Sequence, residues 1–86
     1  MYEVILSAEA EKIYASADQA LAKKIARCFE QLEKNPYFHP NIKSLKGNLD
    51  GYSRYRIGDY RVIYQINGEN KQVIISNIVH RSEAYE

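Results

Sequence analysis

Three extended segments, at about residues 51–57, 60–66 and 72–79, are separated only by Gly58-Asp59 and by Asn67-Gly68-Glu69-Asn70. Gaps this short leave no room for a crossover, so neighbouring segments can pair only as antiparallel hairpins. A sheet with one apolar face must find a second layer to cover it. The residues upstream supply that layer. Tyr2 to Leu6 reads as a first strand, and Ser7 then offers an N-cap to a helix running to about Ser16, with Ile13 and Tyr14 turned inward.

Asp18 caps a second, longer helix in which Leu21, Ile25, Cys28, Phe29 and Leu32 form one apolar stripe. That helix must end near Asn35, because Pro36 disfavours helical geometry in the residue before it, and Pro40 keeps residues 36–50 irregular. The expected order is β-α-α-β-β-β, an α+β fold with two N-terminal helices on one face of a small, mainly antiparallel four-stranded sheet. The chain of 86 residues is too short for two ordinary domains, so residues 1–86 are read as one. With 45% apolar residues, eight Tyr and two Phe, it can pack a core rather than remain disordered.

Twelve Lys and Arg stand against eleven Asp and Glu, a net charge of +1, so any nucleic-acid surface must come from where the cations lie. Strand alternation gathers them. Arg54 and Arg56 share one face of their strand. In the next strand Tyr60, Val62, Tyr64 and Ile66 form the core-facing set, which leaves Arg61 on the opposite surface with Ile63 and Gln65. The last strand runs into His80-Arg81 and a short tail ending near Tyr85. Cleaving RNA through its 2′-hydroxyl requires a proton acceptor, cations to offset charge on the phosphorane, and an acid for the leaving oxygen. The reference pKa of an imidazole, about 6.5, fits His80 for proton transfer. Arg61, Arg81 and Arg54 can grip phosphate in pairs of hydrogen bonds, and Tyr85 can donate a proton or stack on a base. Exposed cations and a single His are also what an ordinary solvated surface carries.

Other chemistries find little support. The single Cys28 lies within the helical stripe and reads as core. His39 and His80 are the only imidazoles, so no metal set is expected, and Gly47, Gly51, Gly58 and Gly68 all read as turn positions rather than a phosphate loop. No cofactor is expected. Nothing at the N-terminus reads as a signal peptide, and no apolar run approaches the roughly 18 residues of a spanning helix, so a cytoplasmic location without membrane contact is expected.

Three stretches together, Leu45-Lys46-Gly47, Tyr52 through Tyr64, and His80-Arg81-Ser82-Glu83-Ala84-Tyr85, closely resemble the RelE/ParE toxin superfamily. The strand-helix-helix order before them agrees, so the resemblance spans essentially the whole chain. It implies the toxin of a type II toxin-antitoxin system. In the RelE branch that means an endoribonuclease which cuts messenger in the ribosomal A site without metal and is silenced by a RelB-like antitoxin, partly disordered when free. Operator DNA would then be met only through the antitoxin complex.

Carried over by position, the resemblance makes Arg61 the residue that binds phosphate and stabilises the transition state. It puts Arg54 and Arg56 at the cationic positions of the preceding strand and maps the C-terminal groups to His80, Arg81 and Tyr85; Lys43 and Lys46 are expected to join Arg56 in binding RNA. Some relatives use Lys or Glu as proton acceptor on the preceding strand. Here both positions are Arg, too basic for that task, so His80 or Tyr85 would carry the proton. The same scaffold also serves ParE-like inhibitors of DNA gyrase. A weakly active scaffold acting mainly by binding its antitoxin is a third reading. Fold alone does not choose among them.

Overall fold

A computed structural model describes residues 1–83. The elements are β1 (Glu3–Leu6), α1 (Ala8–Ser16), α2 (Gln19–Lys34), β2 (Ile42–Ser44), β3 (Ser53–Ile57), β4 (Tyr60–Asn67) and β5 (Gln72–His80), with short 3-10 turns at Gly47–Leu49 and Arg81–Glu83. The strands form one sheet in the order β1-β5-β4-β3-β2. Only β1 and β5 run parallel; the two helices carry the chain from β1 at one edge to β2 at the other, and the antiparallel strands return it to β1. No helix among the described residues is long and apolar enough to cross a membrane.

The sheet has five strands where four were expected. The added strand, β2, lies inside the segment read as a loop and pairs Ile42 with Tyr55, Lys43 with Arg54, and Ser44 with Ser53. Three residues between Pro40 and a 3-10 turn carry too little alternation to announce themselves. What makes them a strand is the ladder offered by β3.

The helix starts follow the sequence. Ser7 Oγ accepts the Ala10 N–H at 3.1 Å and donates to the Ser76 carbonyl at 2.7 Å, so one hydroxyl both caps α1 and ties it to β5. Asp18 accepts the Leu21 N–H at 2.8 Å to open α2. Beyond α2, the Asn35 side chain accepts the N–H groups of Tyr37 and Phe38, and the Pro36 carbonyl accepts the buried Tyr64 hydroxyl at 2.9 Å.

The core lies between the helices and one sheet face. Ile25, Cys28 and Leu32 of α2 meet Tyr55, Ile57, Val62, Tyr64, Val73, Ile75 and Ile78. Leu21 and Phe29 belong to the same stripe but sit at its rim, partly buried, with Phe29 edge-on to Tyr14 at 5.5 Å. Tyr60 and Ile66 pack against this core beside Val62 and Tyr64, as their alternation predicts. Among the described residues no α-helix packs on the other sheet face, and that is the face of Arg54, Arg56 and Arg61.

Candidate functional site

Register fixes the neighbours on the uncovered face. Arg54 stands opposite Lys43 on one side and Ile63 on the other, and Arg56 stands opposite Arg61. Arg61 in turn faces Val79, and Ile63 faces Asn77. Directly opposed residues share a face, so Lys43, Arg54, Arg56 and Arg61 form one cationic field across three strands. Strands β2 to β5 contain no Asp or Glu at all. A chain of nearly balanced charge thus keeps carboxylates off these strands; Asp59 lies in the β3–β4 turn and Glu83 lines a cavity with Ile63 and Val79.

Arg61 faces away from the core as expected, but it is not open to solvent: only 7% of it is exposed. Its Nη1 donates to the carbonyls of Tyr60 at 3.2 Å and Gly58 at 3.3 Å, which draws the guanidinium toward the β3–β4 turn. Gly58 takes a positive φ of 63° there, the backbone form a two-residue hairpin turn favours. Arg81 reaches the same turn from the far end of β5. Its N–H donates to the Asp59 carbonyl at 2.7 Å, and its exposed guanidinium lies 3.8 Å from the Asp59 carboxylate. Arg61 and Arg81 therefore anchor on adjacent residues of one turn.

Arg54 is held from the other side. Its Nη1 donates to the Asn41 carbonyl at 2.7 Å, and the same oxygen accepts the Arg56 N–H at 2.9 Å. The Asn41 N–H donates to His39 Nδ1 at 3.0 Å, and the His39 ring stacks on Tyr55 at 5.1 Å. His39 thus braces the loop that positions Arg54. Lys43 and Lys46 are exposed, Lys43 on the cationic face and Lys46 just before the 3-10 turn at Gly47–Leu49.

His80 does not join this group. It pairs with Tyr60 and lies edge-on to that ring at 5.3 Å, on the side of the sheet that carries the core. The cause is a β-bulge. Tyr64 pairs with Ile75 and Ile63 with Asn77, so Ser76 is an extra residue in β5. Without it, alternation from the buried Val73 and Ile75 would have put His80 on the open face beside Arg61. The bulge reverses the parity, turning Ile78 and His80 to the helix side and Asn77 and Val79 to the open side. The expected imidazole among the guanidinium groups is therefore corrected: Arg61 and His80 occupy opposite faces. His80 Nδ1 instead lies 3.0 Å from Ser82 Oγ and accepts the Ser82 N–H at 3.3 Å. Tyr85 lies outside the described residues.

The bulge also opens a recess on the cationic side, a cavity of about 300 Å³ lined by Leu49, Tyr52, Ile63, Ser76, Asn77, Val79 and Glu83. Sequence reasoning missed it. The available signal was Ser76-Asn77 interrupting an otherwise aliphatic strand, Val73 to Val79. Cys28, by contrast, is fully enclosed, and burial pushes its thiol well above the ordinary range, as suits a core residue and not a nucleophile. Among the described residues no three His, Cys, Asp or Glu side chains cluster as a metal set.

Comparison with known proteins places this geometry. The family model of the ParE toxin of the type II toxin-antitoxin system parDE matches residues 4–85. Toxin RelE of Mycobacterium tuberculosis is 39% identical over 72 residues, which cover 78% of this chain and 72% of that protein. In the archaeal RelE–RelB complex from Pyrococcus horikoshii, a chain 29% identical superposes with a TM-score of 0.82, covering 96% of this chain and 98% of its own. The RelBE2 toxin-antitoxin complex of Mycobacterium tuberculosis gives 28% identity and a TM-score of 0.79, over 93% of this chain and 98% of that one. The matched stretch takes in the cationic strands, the shared turn and the uncovered face alike, and on that basis the chain belongs to the RelE/ParE toxins of type II toxin-antitoxin systems.

Proposed function

We propose that this toxin is an endoribonuclease that cuts translated messenger on its uncovered sheet face, without metal. The observation that carries the reading is two pairs of like-charged partners, Lys43 opposite Arg54 and Arg56 opposite Arg61. Like charges directly across a sheet destabilise it, and a bound polyanion reverses the sign of that interaction. Phosphate is the natural anion for guanidinium groups, which grip it through paired hydrogen bonds.

In this reading the 2′-oxygen attacks phosphorus, the bond from phosphorus to the 5′-oxygen breaks, and the products end in a 2′,3′-cyclic phosphate and a 5′-hydroxyl. Arg61, Arg54, Arg56 and Lys43 offset the charge that develops on the phosphorane. Arg81, tied to the same turn as Arg61, supplies a further cation at the edge. One proton leaves the 2′-hydroxyl and another reaches the leaving oxygen. With His80 on the far face, Tyr85 is the remaining group to which the family resemblance assigns proton transfer or base stacking.

A RelB-like antitoxin would silence the site by covering these cations, as a partly disordered chain that folds on binding can wrap a large surface. Operator DNA would be reached through that complex, and the working place would be the cytoplasm, at the ribosome. The position of His80 favours one second reading, a ParE-like inhibitor of DNA gyrase, which needs no imidazole beside the cations. Primer extension on messenger from cells briefly expressing the chain separates the two. Discrete cuts in translated messenger, lost in Arg61→Ala, are expected. Intact messenger together with gyrase-linked DNA breaks would establish the second reading instead.

A further inference from the structure

We propose that His80 is a positioning residue for the cationic site: its neutral imidazole closes the 3-10 turn in which Arg81 stands, and protonation of the ring opens that turn. This rests on the RNA-cleaving function proposed above, in which Arg81 supplies a cation at the edge. The β4–β5 ladder runs out where the Arg81 N–H donates to the Asp59 carbonyl at 2.7 Å. The next N–H, that of Ser82, turns back to His80 Nδ1 at 3.3 Å, and the Ser82 hydroxyl lies 3.0 Å from the same nitrogen. A side-chain acceptor that takes the N–H two residues on is how Asn and Asp start tight turns and helices. Nδ1 stands where the Asn amide oxygen would, one bond beyond Cγ. Tyr60, edge-on to the ring at 5.3 Å, holds it in place.

His39 repeats the device beside Arg54. Its Nδ1 accepts the Asn41 N–H at 3.0 Å, again two residues on, and the Asn41 carbonyl holds the Arg54 guanidinium at 2.7 Å. Both imidazoles of the chain thus commit Nδ1 to a backbone N–H next to an arginine of the site. A nitrogen that accepts carries no proton, so the neutral ring bears its hydrogen on Nε2.

An imidazolium donates from both nitrogens. The Nδ1–H then faces the Ser82 N–H, donor against donor. The Ser82 hydroxyl can rotate and accept, but the amide cannot, so the bond that closes the turn is lost. Arg81 keeps its own N–H on the Asp59 carbonyl, while the turn it begins comes apart. The titratable and charged groups around the ring are Tyr60 on β4, Asp59 at the β3–β4 turn, Arg81 and Glu83 in the 3-10 turn, and Asp18 and Lys24 at the start of α2, which line a cavity together with Asp59 and Tyr60. They carry both signs of charge. What the proton changes is the direction of one hydrogen bond, which is independent of their sum.

The test compares His80→Asn, His80→Gln and His80→Ala with the parent, all as full-length toxin, with fold checked by amide spectra. Asn keeps an acceptor at the Nδ1 position and does not titrate; Gln moves the acceptor one bond outward; Ala removes it. Messenger cutting on purified ribosomes at about pH 8 should stay within about twofold of the parent for Asn and fall by up to about tenfold for Gln and Ala, the range one hydrogen bond covers. The ratio of the Asn variant to the parent should then rise on going to about pH 5.5, below the imidazole reference of about 6.5, because only the parent loses its acceptor. A proton-carrying His80 predicts instead that Asn is as slow as Ala, and that result would overturn the proposal, as would equal rates for Asn and Gln or a ratio independent of pH. The bond itself is read without cleavage. The Ser82 amide resonance of the parent should move with the titration of the His80 ring and stay still in His80→Asn; an amide indifferent to that ring also overturns the proposal. A parent that cuts no messenger sinks the nuclease reading, whatever the Ser82 amide does.

Discussion

Arg56 and Arg61 face each other across β3 and β4, two guanidinium-bearing residues directly opposed on one sheet face. Opposed like charges destabilise a sheet, on the scale of the roughly 0.2–1 kcal/mol that favourable cross-strand pairs contribute. Arg56→Gln should therefore raise stability by about that amount at low ionic strength, and the gain should shrink as salt screens the repulsion. RNA affinity should fall in the same variant. Thermal melts at two salt concentrations check the first half, and a loss of stability would show that the pair is not repulsive.

Arg61 makes the stronger functional prediction. Arg61→Ala should slow messenger cutting by roughly 10²–10³-fold, by analogy with the removal of one preorganised donor from a site that stabilises an oxyanion. Because the side chain is largely enclosed and bonded to the Tyr60 and Gly58 carbonyls, melting must be followed alongside. Arg61→Lys separates charge from geometry. It keeps the cation but not the planar fork, and should recover only part of the rate. Full activity in that variant would mean that a point charge suffices.

Much of this arrangement was legible in the sequence. Tyr60, Val62, Tyr64 and Ile66 alternate with Arg61 and Ile63, and a period of two is enough to say which set is buried. Ser7 and Asp18 announced the helix starts because capping is local chemistry. Two features depended on distant partners and were not legible. β2 is a strand because β3 lies beside it, and nothing within Ile42 to Ser44 says so. The side taken by His80 depends on one inserted residue, Ser76, whose effect exists only once β5 is laid against β4. Parity arguments hold until a bulge, and the polar pair Ser76-Asn77 interrupts the aliphatic run without saying that a residue there is extra.

His39 offers a test of how Arg54 is placed. Its Nδ1 accepts the Asn41 N–H, and the Asn41 carbonyl holds the Arg54 guanidinium at 2.7 Å. His39→Ala removes that acceptor and the ring stacked on Tyr55. A hydrogen bond of this kind contributes about 0.5–1.5 kcal/mol, so a rate loss of up to roughly tenfold is expected. Arg54→Ala should lose more, and the double variant should be little worse than Arg54→Ala alone, because His39 acts through that side chain. Additive losses in the double-mutant cycle would show that His39 acts elsewhere.

Alkaline pH should expose the burial of Cys28 and Tyr64. Desolvation raises both groups above their ordinary values of 9.0 and 10.0, with the nearby Cys28 adding to the effect on Tyr64. In the unfolded chain each group releases its proton near its ordinary value, while in the folded chain each keeps it. The folded state then holds more protons, so the contribution of these two groups to stability is constant below about pH 8 and falls as pH rises through and beyond 9. Each such group contributes a slope of about 1.4 kcal/mol per pH unit once its unfolded form is ionised. Cys28→Ala will lower stability at every pH by leaving a cavity, but its dependence on pH between 9 and 10 should be shallower than the parent's by up to one proton. Denaturant unfolding at a series of pH values reads that slope directly. Parallel curves for parent and variant would mean that the thiol ionises as readily in the folded protein as in the unfolded chain, which a side chain 1% exposed on the inward face of α2 does not allow.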